Sequence, residues 1–170
     1  STGELQKMTR ANPNPSLFVK VGLQRNDVLL WYAVIKGPTG SLYEGGYFVL
    51  SIQLGDEYPH QAPKISFLTE IYSMHVAPDG KLCEAMFDQW AATQTIEQAI
   101  QRVAAIVFDT SEAASQNTAP VNADASQCFA LSKADYEKKC IASTKKHASE
   151  SQAIALVQRL EQCDAMCYAA

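Results

Sequence analysis

"WYAVIKGPTGSLYEGGYFVLSIQL", Trp31 to Leu54, decides the fold. It begins inside a nearly unbroken apolar run, Leu29 to Ile35, and ends in an alternating one, Phe48 to Leu54. The first pattern suits a strand covered on both faces and the second a strand with one wetter face. Between them Gly37-Pro38 and Gly45-Gly46 mark turns, since proline presets φ and glycine reaches conformations closed to other residues. The stretch predicts two neighbouring strands, over Val28 to Lys36 and Tyr47 to Leu54.

Outward on both sides the same signals recur. Leu17 to Leu23 is a third β-rich segment, set off by Arg25-Asn26-Asp27, and Lys64 to Leu68 is a fourth. Pro59 and Pro63 keep the approach to the fourth strand extended. Four strands in series with short connections predict an antiparallel meander. Upstream, Glu4 to Ala11 suits a short helix that Asn12-Pro13-Asn14-Pro15 ends.

After residue 90 the apolar period becomes helical. Ile96, Ala99, Ile100, Val103 and Val107 form one stripe, and Thr95 with Gln98 has the spacing of a capping box. "SQNTAPVNADA" is expected to break this helix, and Ser132 with Asp135 to cap another that reaches about His147. Residues 149 to 168 read as a last helix with Ile154, Val157 and Leu160 on one side. Helices segregated from an antiparallel sheet make an α+β domain, here a four-stranded antiparallel meander flanked by helices. The expected division is a core over 1–148 and a C-terminal helical extension over 149–170, its stripe, with Tyr168, facing the domain or a partner.

The totals fit one soluble domain: 170 residues, 47% of them apolar and 19% charged, with a net charge of −4. No strong basic field argues for nucleic acid or an anionic membrane, and no apolar run is long enough to span a bilayer. The opening residues do not read as a signal peptide. Five cysteines, Cys83, Cys128, Cys140, Cys163 and Cys167, are odd in number and scattered. They form no CxxC pair and no Cys/His ligand set, so no structural zinc is expected. Cys163 and Cys167 have helical ligand spacing with nothing to complete a site. Free thiols in a reducing compartment, the cytoplasm or the nucleus, are the simplest reading.

Cys83 stands in an irregular stretch of about twenty residues, a length that in compact domains goes with function or mobility. Pro78-Asp79-Gly80 turns the chain into Lys81-Leu82-Cys83, and Glu84 follows. On residues alone Cys83 is compatible with a core thiol, a metal ligand or a nucleophile. The order of short motifs adds to this. "ELQKM…NPNP", the stretch from Trp31 to Leu54, "EYPHQAPKISFLTEIY", "DGKLC", a tryptophan, a helix beginning at "TI", and "LSKADYEKKC" follow one another in register. This order resembles the ubiquitin-conjugating enzymes, over roughly Glu4 to His147.

The resemblance implies an acyl carrier that works in an ATP-dependent cascade without a cofactor or metal of its own. Cys83 falls at the acceptor position, where a thiolate takes ubiquitin or a ubiquitin-like modifier from an activating enzyme and passes it to a lysine. Cysteine suits this role because it ionises near neutral pH and is intrinsically nucleophilic. The other cysteines read as structural. The family's His-Pro-Asn triplet is replaced by Ser73-Met74-His75, which sets His75 at the asparagine position. There its N–H would serve an oxyanion, a contribution elsewhere worth ~2.7–4 kcal/mol, or the ring only packs the loop. The family's acid beyond the long helix is replaced in Ser115-Gln116-Asn117-Thr118-Ala119-Pro120 by Ala119, which leaves Glu84 or a partner's acid to assist the lysine.

The partner-facing positions depart as well. His60 follows Tyr58-Pro59 where the family has a phenylalanine anchor, and the second contact loop reads Trp90-Ala91-Ala92-Thr93. Losing an aromatic anchor removes the apolar area that hot spots supply, which points to a dedicated ligase. Lys7 and Arg10 are the basic residues of the first helix that would meet the activating enzyme. Three readings follow: a divergent conjugating enzyme using Cys83; an inactive variant that binds ubiquitin or a partner; or a carrier for another ubiquitin-like modifier.

Overall fold

The computed structural model describes residues 2–11, 14–113 and 118–162. In chain order it has helix α1 (Thr2–Ala11) and strands β1 (Phe18–Leu23), β2 (Leu30–Lys36), β3 (Tyr47–Gln53) and β4 (Lys64–Phe67). A short 3-10 helix (Glu84–Phe87) precedes helices α2 (Ile96–Val107), α3 (Ala123–Leu131), α4 (Lys133–His147) and α5 (Glu150–Glu161). The four strands pair antiparallel in sequence order, so the expected meander is what the chain forms. Asn12 and Pro13, Ser115 to Asn117, Cys163, Cys167 and Tyr168 lie outside the described residues.

Alternation along β2 and β3 sends two sets of side chains to opposite faces of the sheet. Trp31, Ala33, Ile35, Phe48, Leu50 and Ile52 enter the main core, and the apolar stripe of α2 closes it. All five stripe residues of α2 are buried, and Thr95 and Gln98 make the capping box in both directions. Tyr43, Phe48, Phe67 and Phe108 stack edge-on or tilted within this core, with ring centres 5.4–6.2 Å apart. Tyr32, Val34 and Val49 point the other way and meet Ala153 and Val157 of α5.

The helices differ from expectation in two places. Helix α2 ends before the segment expected to break it, but a further helix, α3, starts at that segment's end, its Asn122 cap accepting from the Ala125 amide at 3.1 Å. The face of α5 is also turned from the expected one: Ala153 and Val157 are buried, while Ile154 is 52% exposed. Residues 153, 156, 157 and 160 share one side of the helix, and a small alanine lets the helix axis approach the sheet. Ser132 caps α4 as expected, through the Asp135 amide.

Candidate active site

Between β4 and α2 the chain is irregular but pinned. Gly80, at φ +87°, closes the Pro78-Asp79-Gly80 turn, its amide donating to Ala77 O at 2.8 Å. Its own carbonyl accepts from the Phe67 amide at 2.8 Å, which lashes the turn to β4. A Cβ here would lie 2.0 Å from Phe67 O, so backbone angle and space both require glycine. Two isolated antiparallel bridges follow, Ser66 with Lys81 and Val76 with Leu82.

Cys83 leaves this ladder in an extended conformation (φ −65°, ψ 126°) and stands at the cap of the 3-10 helix. Its carbonyl accepts from the Met86 amide at 3.1 Å. Met86 is buried, and Arg102 of α2 donates to its carbonyl, fixing the short helix against the core. Cys83 is half-buried on the wall of an open groove of about 820 Å³. Ile65, Leu82 and Phe87 give the groove an apolar lining, and Lys64, Lys81, Glu84 and Asp88 charge it.

The other described thiols sit differently. Cys140 is fully buried, donates to Tyr72 O at 3.3 Å and lies 3.6 Å from the Tyr43 hydroxyl. Burial pushes its pKa up to about 11, which suppresses the thiolate. Cys128 is half-buried and packs against the main core. Among the described residues no group of three or more His, Cys, Asp or Glu is placed to hold a metal.

The three candidate catalytic residues divide. Glu84 is exposed at the start of the 3-10 helix and lines the groove with Cys83. His75 is only 2% exposed and is not among the residues lining that groove. Its Nδ1 lies 3.0 Å from Thr118 Oγ1, and its amide donates to Ser73 Oγ at 3.1 Å. Burial lowers its pKa, against a smaller opposing pull from the Asp109 carboxylate. Around it, Met74 O accepts from the amides of Val121 (2.9 Å) and Asn122 (3.2 Å), and Asn122 Nδ2 donates to Val76 O. The segment 74–76 is thus stitched to 118–122, where Ala119 is exposed.

At the neighbouring end of the molecule lie the candidate partner-facing residues. Lys7 and Arg10 are exposed on α1. His60 is exposed and Trp90 half-buried, and both line the Cys83 groove. The Trp90 indole N–H donates to Pro59 O at 2.8 Å, joining the two loops that the sequence places thirty-one residues apart. Ala91 and Ala92 are exposed, and Ala92 shares a second groove of about 480 Å³ with Leu29, Tyr58 and Glu4. Glu4 ties this end together: it accepts from the Tyr58 hydroxyl at 2.7 Å and from the Ile96 amide at 3.1 Å.

Comparison with known proteins decides the family. The ubiquitin-conjugating enzyme family model matches residues 2–144. The chain belongs to the ubiquitin-conjugating enzyme family. Two curated relatives are ubiquitin-conjugating enzymes E2 of African swine fever virus. One, from a Kenyan isolate, is 30% identical over 126 residues, or 68% of this chain. The other, from the Badajoz strain, is 27% identical over 125 residues. The chain spans about half the length of these relatives, 55% and 56%. A crystal structure from Plasmodium yoelii assigned to the ubiquitin conjugating enzymes superposes with a TM-score of 0.76 at 27% identity, covering 87% of this chain and 92% of that one. The E2 domain of a Toxoplasma gondii ubiquitin conjugating enzyme shares the fold, with a TM-score of 0.75 at 24% identity over 87% of this chain and 96% of that one.

Several residues that shape this family member's site have no signature in the sequence. Glu4 meets partners 54 and 92 positions away, and Thr118 meets His75 across 43. No local pattern marks such pairs. Asn122 is different, because an asparagine before a short run of helix formers is an N-cap signal that was available.

Proposed function

We propose that this chain carries ubiquitin or a ubiquitin-like modifier as a thioester on Cys83, taken from an activating enzyme and passed to a lysine directly or with a ligase. The observation that carries this reading is the setting of Cys83: half-buried, extended, and on the wall of an open groove in a member of the conjugating family. The thiolate attacks the incoming thioester carbonyl and expels the activating enzyme's thiolate. A lysine amine then attacks the new thioester, and Cys83 leaves as the thiolate.

Glu84 is the residue we assign to the incoming lysine. It borders the same groove, and a carboxylate there orients the ammonium and eases its loss of a proton. His75 acts in this reading as a positioning residue. Buried, neutral and joined to Thr118, it holds the segment 118–122 beside the acceptor loop. Lys7 and Arg10 meet the activating enzyme, and His60, Trp90, Ala91 and Ala92 face a dedicated ligase. Residues 1–148 form the carrier unit and 149–170 its extension, with α5 lying on the sheet.

The test mixes the protein with activating enzyme, ATP and ubiquitin, then compares gels with and without reductant. The expected result is an adduct that reductant removes, absent in Cys83→Ala and reductant-resistant in Cys83→Ser. No adduct with ubiquitin or any ubiquitin-like modifier overturns the proposal. That outcome would favour a second reading, a variant domain that binds a modifier or enzyme without transfer. The exposed Ala119, which brings no acid to the site, is the observation on its side.

A further inference from the structure

The outer face of the sheet is apolar beneath α5 and turns polar toward β4. Ser51 pairs with Ser66, and Ser66 with Lys81, which makes one cross-strand row. Gln53 and Lys64 make the next. Their chain neighbours Leu50, Ile52, Ile65 and Phe67 enter the core, so alternation sends these polar side chains outward. All five line the groove that holds Cys83. The segment at Lys81 runs antiparallel to β4, so it leads from the Ser66 row toward the Lys64 row on its way to Cys83. The platform offers hydrogen-bond donors throughout. Gln24, 7% exposed, donates to Ser51 Oγ at 2.9 Å, which leaves the Ser51 hydroxyl hydrogen to be given outward. Among the described residues, the Lys64 ammonium and the Ser66 hydroxyl have no hydrogen-bond or ion-pair partner. Lys81 pairs with Asp79 at 3.5 Å, but both are exposed and such a pair is worth little. The carboxylates of the groove, Glu84 and Asp88, follow Cys83 in the chain and lie off the sheet. Two ammonium groups and two hydroxyls exceed what one carboxylate, singly charged with two oxygens, can use. They match a phosphoryl group, which carries about two negative charges and three acceptor oxygens.

We propose that this platform is a subsite for a phosphoseryl or phosphothreonyl side chain of the acceptor protein, two residues from the lysine that takes the modifier. This rests on the carrier reading of Cys83. Rows on one face of a sheet repeat about every 6.6–7 Å, which is also the spacing of alternate side chains in an extended peptide. A phosphorylated residue held by Lys64, Lys81 and Ser66 sets a lysine two positions away at Cys83, with its ammonium toward Glu84. The carrier then reads phosphorylation directly, and the unphosphorylated form of the same segment is a poor acceptor. A nucleic-acid backbone also offers phosphates, but the chain's net charge of −4 opposes it.

The experiment loads the full chain with ubiquitin, using activating enzyme and ATP, and chases it with short peptides that carry one lysine. The second residue before or after that lysine is serine, phosphoserine or glutamate. Loss of the thioester is followed for the loaded protein only, and rates are compared as ratios within each variant. At low peptide concentration one of the phosphoserine peptides is expected to discharge Cys83 at least about tenfold faster than its serine twin, as charge-assisted hydrogen bonds to two lysines warrant. The glutamate peptide should fall between them. Combining Lys64→Gln with Lys81→Gln should bring the ratio close to one. A parent ratio near one, or a phosphoserine advantage that survives the double variant, overturns the subsite. A glutamate peptide equal to phosphoserine overturns the phosphoryl assignment in favour of a carboxylate. If no Cys83 thioester forms, the carrier reading fails by itself, and fluorescence anisotropy of the labelled peptides on the unloaded chain decides the subsite. Phosphoserine binding that the double variant removes keeps it. No such binding, or tighter binding of a single-stranded oligonucleotide, ends it.

Discussion

Toward α2 the sheet presents Trp31, Ala33, Ile35, Phe48, Leu50 and Ile52, each exposed by 1% or less. On its other face Tyr32, Val34 and Val49 are also buried, beneath Ala153 and Val157 of α5. The first closure interlocks aromatic rings from the β2–β3 connection, β3, β4 and the C-terminal end of α2. The second rests on Ala153 and Val157, with Leu156 and Leu160 at its margin. Its ends are tied by two backbone bonds, Tyr47 N to Ala148 O and Arg25 N to Leu160 O, both 2.8 Å. At its rim Glu161 accepts from Lys20 at 2.7 Å and from the Tyr32 hydroxyl. Equal burial therefore does not mean equal strength: one face is closed by the core that defines the fold, the other by a small patch with a polar clasp.

The largest effect expected from this contrast is on the inner face. Phe48→Ala should cost about 3–5 kcal/mol in urea unfolding, through lost burial and an unfilled cavity. Gly80→Ala comes next. The left-handed backbone alone costs about 1–2 kcal/mol, and the contact with Phe67 O adds to it. Because that turn delivers Cys83, the variant should also load modifier more slowly, read as the rate of reductant-sensitive adduct. On the outer face, Val157→Ala should cost only about 1–2 kcal/mol by the area it uncovers. A Val157→Ala penalty as large as that of Phe48→Ala would break the comparison.

Acid should separate the two closures further. His75 has its pKa lowered by burial, so the unfolded chain binds its proton more readily than the folded one. Stability linked to His75 is complete above the ordinary imidazole value of 6.5 and declines as pH falls below it. Glu161 has its pKa lowered by Lys20 and then Tyr32, so its contribution persists above the ordinary 4.5 and is lost as pH falls further. A pH series of melting temperatures should show two declines, the upper removed in His75→Asn and the lower in Glu161→Gln. Near neutral pH Glu161→Gln should cost less than about 1 kcal/mol, as befits a half-exposed pair. A single decline that neither variant alters would show that these groups do not govern the two regions.

The sheet was legible because its information is local. Leu29 to Ile35, the glycine turns and the Phe48 to Leu54 alternation each declare themselves within a few residues. The capping box at Thr95 and the cap at Ser132 were legible for the same reason. Helix α3 was not: it is nine residues long and buries only Ala125 fully, so it has almost no apolar period to read. The face of α5 was misassigned because Ile154 is the more hydrophobic neighbour of Ala153, while contact with a sheet favours the smaller residue. At the site, the position of Cys83 came from the register of its motifs with a known family. The setting of His75 did not, because Thr118 is supplied by a segment forty-three residues later.

The carboxylate of Glu4 has one more consequence. It bonds Tyr58 and Ile96 while belonging to α1, so three separate segments share a single node. In the language of frames this is a triangulated joint: one member cannot rotate without loading the other two. A protein that gripped α1 and tilted it would displace the start of α2 and the loop at Tyr58 together. Trp90, hydrogen-bonded to Pro59, would follow, and with it one wall of the groove that holds Cys83.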